Sequence, residues 1–266
     1  DSTNTSTETG NSILGDSTVS ATASATSTTY EETTNQSQEF FATTTVSSTS
    51  TTTDAGNNIT GSFTTTSAQT ATSELVSLSI NQAETVNDTE SSTQSIVATS
   101  TGNQITGSFT STQTATSDTI ATQQRTNQSA TEDTTTTSTE TSTVTATGNT
   151  ITGTRSTTTT ATTTATGTTS YDNQTIQVTK DTTLSSEQSG TTSGNDITGE
   201  YERDSSSSSV NVRDERIINQ LLSTTAREVD SSEESATESG NSITGSFTTT
   251  GTASSTATLT GSDTNQ

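Results

Sequence analysis

In 266 residues the chain carries 30 acidic and seven basic residues, for a net charge of −23 and a pI near 4.1, and it contains no Cys, His, Met, Pro or Trp. That balance argues against a nucleic-acid backbone as partner, and without His or Cys there is no Ser-His or Cys-His nucleophile. No apolar run approaches the ~18 residues that span a bilayer, so no membrane insertion is expected.

Only 21% of the residues are hydrophobic, and roughly three in five are Ser, Thr, Asn or Gln. Full burial of an apolar side chain contributes ~1.5–3 kcal/mol, whereas ordering each residue's backbone costs ~1–2 kcal/mol. By composition alone the chain reads as disordered. Its periodicity says otherwise. The pattern G-N-x-I-[TL]-G starts at Gly10, Gly56, Gly102, Gly148, Gly194 and Gly240, always 46 residues apart. Asn-Gln recurs in the same period at Asn35, Asn81, Asn127, Asn173, Asn219 and Asn265. A flexible tract tolerates insertions at little free-energy cost, so six copies without a slip imply a fixed geometric unit.

In chain order, 1–9 reads as the end of a preceding repeat. Repeats follow over 10–55, 56–101, 102–147, 148–193 and 194–239, and 240–266 opens a sixth. The array is one continuous body, and beginning and ending within a repeat suggests a slice of a longer protein. Each repeat opens on a turn signal, Gly-Asn (Gly10-Asn11, Gly56-Asn57, Gly102-Asn103, Gly148-Asn149, Gly194-Asn195, Gly240-Asn241), with Gly suited to the first central position of a type II′ hairpin. The next residues alternate: Ile59, Gly61 and Phe63 on one face, Thr60, Ser62 and Thr64 on the other, the pattern of a half-buried strand. This makes Ile13, Ile59, Ile105, Ile151, Ile197 and Ile243 candidate core residues, with Phe63, Phe109, Tyr201 and Phe247. Ser17 and Arg155 take the aromatic place in two repeats. The glycine between, Gly61 or Gly107, marks a bend or admits a neighbour closely. Asn-Gln reads as a second turn with Asn in the left-handed region. The stretches between the two signals, about 23 and 19 residues, are long for single strands, so further bends are expected.

The fold class is therefore all-β, with a β-solenoid favoured over an extended antiparallel meander because invariance at single positions suits direct stacking of equivalents. Charge gives the solenoid no support, since same-phase acids such as Glu8/Asp54 and Glu187/Glu233 are about as common as chance. In the fifth repeat, Val210 to Val229 has an amphipathic helical spacing. Asn219-Gln220 nevertheless stays in phase, and the repeat is expected to override local propensity.

Catalytic and cofactor sites are not expected. Asp88/Glu90 and Glu200/Glu202/Asp204 are the acids that a calcium ion would use, although no calcium-binding loop motif is present, and solvated surface charge is the simpler reading. Thr64/Thr66, Thr110/Thr112 and Thr248/Thr250 resemble the Thr arrays of ice-binding β-solenoids, interrupted by Glu202 and Asp204; solvent-facing Thr of high strand propensity is the preferred reading. A single lysine, Lys180, leaves no basis for an isopeptide bond in every repeat, and Thr–Gln esters have only the recurrent Gln in their favour. N-x-[ST] sequons begin at Asn4, Asn35, Asn58, Asn87, Asn127 and Asn173, and O-linked sugars suit the exposed hydroxyls.

The phrase T-G-N-x-I-T-G-x-F/Y-T, with Asn-Gln between copies, resembles the Ser/Thr-rich tandem repeats of very large surface proteins in planctomycete-type bacteria. The resemblance implies an extracellular or envelope-associated structural protein and brings no catalytic residues. The expected function is a cell-surface fibre or extracellular filament that self-associates into a multi-chain assembly, with covalent glycans as the other partner class. The alternative is the rigid stalk or binding array of an adhesin, facing a glycan, ice or another cell.

Overall fold

A computed structural model describes residues 1–265. It contains β1 (Ser2–Asn11), β2 (Asp16–Asn35), β3 (Gln38–Asn57), β4 (Ser62–Asn81), β5 (Glu84–Asn103), β6 (Ser108–Asn127), β7 (Ala130–Asn149), β8 (Thr154–Asn173), β9 (Ile176–Asn195), β10 (Glu200–Asn219), β11 (Leu222–Asn241) and β12 (Ser246–Asn265). All lie in one open sheet in chain order, each antiparallel to its neighbours. This order corrects the preference for a solenoid: it is that of the extended meander. In the strands, equivalent residues 46 apart lie two strands apart, at about 9.6 Å, with another strand between them. Same-phase acids therefore hardly repel, which is why they show no avoidance.

From β2 onward each strand is 20 residues long, about 66 Å when extended. The expected internal bends are absent: between the two turn signals there is no Pro, Asn-Gly, Asp-Gly or Gly-Gly, and Thr and Ser suit an extended chain. Two strands, one four-residue turn and one two-residue turn fill the 46-residue period. The helix-like stretch is strand as well, divided between β10 and β11 at Asn219–Leu222.

The register gives the sequence an order that periodicity alone did not reveal. Five of the seven basic residues directly face an acid on the adjacent strand: Arg125 faces Glu132, Lys180 Glu215, Arg203 Glu238, Arg213 Glu228 and Arg227 Asp214. Such opposite-charge pairs contribute ~0.2–1 kcal/mol each. Asp181 and Asp214 face one another as like charges, with Arg227 3.8 Å from Asp214.

Because alternate residues point to opposite sides, register also defines the two faces. One, here the hydroxyl face, carries the Ser and Thr rows of the half nearest the Gly-Asn turns. The other, the mixed face, carries Ala, Gln, Val and the aromatic residues there. Neither is covered. Among the described residues no hydrophobic side chain is buried, and Ser77, 9% exposed, is the one buried polar residue. The accessible surface is 16719 Å², against about 11,000 Å² for a compact monomer of this mass. The described residues form a single layer without a core.

Candidate functional site

The most elaborate local structure is the edge formed by the Gly-Asn turns. Its logic begins with the asparagine that ends each odd-numbered strand. Asn103 Oδ1 accepts from the backbone N–H groups of Ile105 and Thr106, both at 2.9 Å, and so closes the four-residue turn from within. Its Nδ2 donates to the carbonyl of Thr60 in the preceding turn at 2.8 Å. The same outward bond joins Asn57 to Leu14, Asn149 to Thr106, Asn195 to Thr152 and Asn241 to Thr198, at 2.8–3.0 Å. Backbone bonds run alongside, such as Gln104 N–H to the carbonyl of Gly61 at 2.8 Å and Thr150 N–H to that of Gly107 at 2.9 Å. One amide thus shapes its own turn and ties it to the last. Aspartate matches only the acceptor half.

Geometry here corrects the placement of the predicted core isoleucines. Ile59, Ile105, Ile151 and Ile197 stand in turns and are 60–62% exposed, and Ile13 and Ile243 more so. The alternation of Ile59, Gly61 and Phe63 is that of a strand, but a turn with an internal side-chain cap occupies 58–61. The isoleucines still pack, each along the edge. A Cβ placed on Gly61 would lie 2.7 Å from Ile105 Cγ1, and one on Gly15 equally close to Ile59. The turn glycine also has φ of +73° in Gly61, a conformation L-residues adopt at a cost. Both meanings read from this glycine, a bend and a close approach, apply. The first glycine of each pair, Gly56 or Gly102, is strand and not the positive-φ residue of a II′ turn.

The aromatic position has a different purpose from core packing. Antiparallel register sets Phe63 between Gly56 and Gly102 and Phe109 between Gly102 and Gly148. A Cβ on Gly102 would come within 2.7 Å of the Phe63 ring, and one on Gly148 within 2.9 Å of Phe109. The ring lies across the next strand's glycine and shields its backbone, as aromatic rescue of a strand glycine requires. In Tyr201 the hydroxyl also donates to Glu238 Oε1 at 2.7 Å, which holds its phenol above the ordinary tyrosine value. Phe247 remains 69% exposed.

At the opposite edge, Asn35, Asn81, Asn127, Asn173 and Asn219 end their strands beside two-residue turns. In three of these turns the left-handed residue is not Asn but the following Gln, with φ of 54° in Gln82, 52° in Gln128 and 50° in Gln220. Asn265 closes β12, and the turn expected after it lies outside the described residues.

Across the hydroxyl face a continuous row runs through Thr53, Thr66, Thr99, Thr112, Thr145, Thr158 and Thr191, one from each of seven consecutive strands, before Asp204 interrupts it. Thr66 and Thr112 of the Thr-x-Thr pairs belong to this row, the odd strands fill the gaps between them, and Thr248/Thr250 lie on β12 beyond the interruption. Hydroxyls bond across strands, as in Ser189–Ser206 at 2.7 Å and Ser235–Thr252 at 2.9 Å. Among the described residues no three acidic side chains gather in a metal-binding group. Asp88 accepts from Gln123 at 2.8 Å and Ser77 at 3.3 Å, and Glu200, Glu202 and Asp204 are spaced along one face of β10. The sequon residues Asn35, Asn58, Asn87 and Asn127 are exposed. No protein-family model and no curated protein sequence matches the chain.

Proposed function

We propose that this chain is a structural repeat protein, without enzymatic activity, that builds an extracellular filament or cell-surface fibre by self-association. The observation that carries the reading is that, among the described residues, a 12-stranded single layer holds no buried hydrophobic side chain. A sheet open on both faces gains its missing burial by covering a face with another sheet, at the ~10 Å spacing of packed sheets. The edge of tied turns supplies the fixed repeat length that a fibre needs, and the exposed sequons and hydroxyls suit a glycosylated surface. The Thr row favours a second reading, a rigid array that presents hydroxyls to a glycan or to ice.

Sedimentation velocity from 1 to about 100 µM at physiological salt, with electron microscopy of the same samples, separates the two. Self-association is expected to give particles that grow with concentration. A monomer at every concentration would remove the fibre reading and leave the binding array.

A further inference from the structure

Phe63, Phe109, Tyr201 and Phe247 each take the second place of their strand, on the mixed face, and Arg155 takes that place in β8. Consecutive places lie two strands apart, at about 9.6 Å. The rings therefore form a row that crosses the strands just inside the Gly-Asn edge. Phe63 and Phe109 are half-buried. One side of each ring meets the glycine of the next strand, and among the described residues no second layer covers the other side. Shielding of glycine accounts for the inner side of the ring. The outer side remains open.

The ground around these two rings is uncharged. On the mixed face of β4–β7, the row beside them holds Thr65, Ser100, Ser111 and Ala146, and the next holds Ser67, Ala98, Gln113 and Val144. None carries a charge, in a chain whose net charge is −23. Beyond this stretch Arg155 interrupts the row, and Tyr201 has Arg203 and Glu238 beside it.

We propose that Phe63 and Phe109 form a binding site for a neutral β-1,4-linked glycan lying along the row. A pyranose in such a chain offers a face of C–H groups that stacks on an aromatic ring, and an aromatic side chain supplies a large apolar area for it. Successive sugars are turned over, so the same face returns with every second sugar. Two extended sugars span the distance from Phe63 to Phe109. The sugar hydroxyls then lie level with Thr65, Ser100 and Ser111, about 6.6 Å along the strands, whose hydroxyls both donate and accept. Charge selects the same class of ligand. An uncharged patch suits a neutral glycan, whereas uronate-rich or sulfated chains are repelled by the acidic chain around it.

Saturation-transfer NMR on the full chain tests the site, with cellohexaose and N-acetylchitohexaose as β-1,4-linked probes. Maltohexaose, whose α-1,4 linkage curls the chain and loses the repeat, is the control. At least one β-1,4 probe is expected to bind and maltohexaose to stay free. Phe63→Leu/Phe109→Leu keeps an apolar cover on Gly102 and Gly148 but removes both aromatic faces. It is expected to weaken binding at least tenfold, with far-ultraviolet circular dichroism unchanged. Arg155→Phe works in the opposite direction and leaves the existing rings intact. It sets a third ring between Gly148 and Gly194, beside the uncharged Thr157 and Thr192, and a hexasaccharide is long enough to reach all three. Binding should tighten at least threefold. Four results would each overturn the site: no binding of either β-1,4 probe, equal binding of maltohexaose, a leucine variant that binds like the wild type, or no gain from Arg155→Phe. None of them touches the fibre reading, because the site needs no self-association and sedimentation of the unliganded chain tests that reading separately.

Discussion

Gly61→Ala is expected to lower the local stability of two adjacent turns by about 2–4 kcal/mol. Holding φ at +73° costs an L-residue ~1–2 kcal/mol. The new methyl would also meet Ile105 Cγ1 at 2.7 Å and the Ile105 backbone nitrogen at 3.0 Å. The side chain can turn aside, but the backbone cannot without breaking the bond from Gln104 N–H to the Gly61 carbonyl, and overpacking of this kind costs ~1–3 kcal/mol. Amide exchange at Gln104 reports the effect, accelerating about 30- to 700-fold at tenfold per 1.4 kcal/mol. Gly245→Ala is the matched comparison. Its φ is +72°, yet nothing lies within 4 Å of the added carbon, so only the backbone term of ~1–2 kcal/mol remains. Equal effects at the two sites would show that Ile105 does not pack on Gly61.

The second large effect is expected at Asn103. Alanine there removes two acceptor bonds within the turn and one donor bond to Thr60. At ~0.5–1.5 kcal/mol each in net terms, and at the low end for an exposed site, the loss is about 1.5–3 kcal/mol. Asn103→Asp separates the two halves of the role. It keeps the acceptor but sets a carboxylate against the Thr60 carbonyl, so at neutral pH the turn should close while its tie to the preceding turn is lost. In the folded state the protonated acid is the favoured form, since it alone can donate to that carbonyl. Stability should therefore recover as pH falls through the carboxyl range, near pH 4 for an ordinary aspartate. Exchange at Gln104, measured at pH 7 and at pH 3.5 with correction for intrinsic rates, distinguishes the cases. An Asp variant no better than Ala at the low pH would deny Asn103 its bridging role.

These residues also show what was legible in the chain and what was not. The all-β class, the 46-residue unit, the two turn positions and the strand character of Val210 to Val229 follow from phase alone. Placement of the isoleucines does not. Asn-x-Ile-Thr-Gly alternates like a strand, and only the spacing Asn-x-x-x-Gly, a side-chain acceptor followed four residues later by a positive-φ glycine, distinguishes it as a capped turn. Topology is not legible from phase for a related reason. Invariant positions do reflect contact between equivalent elements, but that contact is confined to the edge, where Asn57 reaches Leu14 and Ile59 covers Gly15. Within the strands the neighbours are mirror-related, not equivalent. Once antiparallel register is imposed, Phe63 falls beside Gly102 and Lys180 opposite Glu215, and both choices become explicable.

The central claim, that the period is an antiparallel pair of strands and not a stacked coil, is tested most directly by paired cysteines in this cysteine-free chain. Thr66 and Thr99 are direct cross-strand partners, within the ~4.4–6.8 Å Cα separation of a disulfide. Thr66 and Thr112 are equivalents one repeat apart, with Thr99 between them. Under mild oxidation the Thr66→Cys/Thr99→Cys chain is expected to close an intramolecular disulfide, and the Thr66→Cys/Thr112→Cys chain to remain free. The reverse pattern would place equivalent residues in contact and contradict the meander.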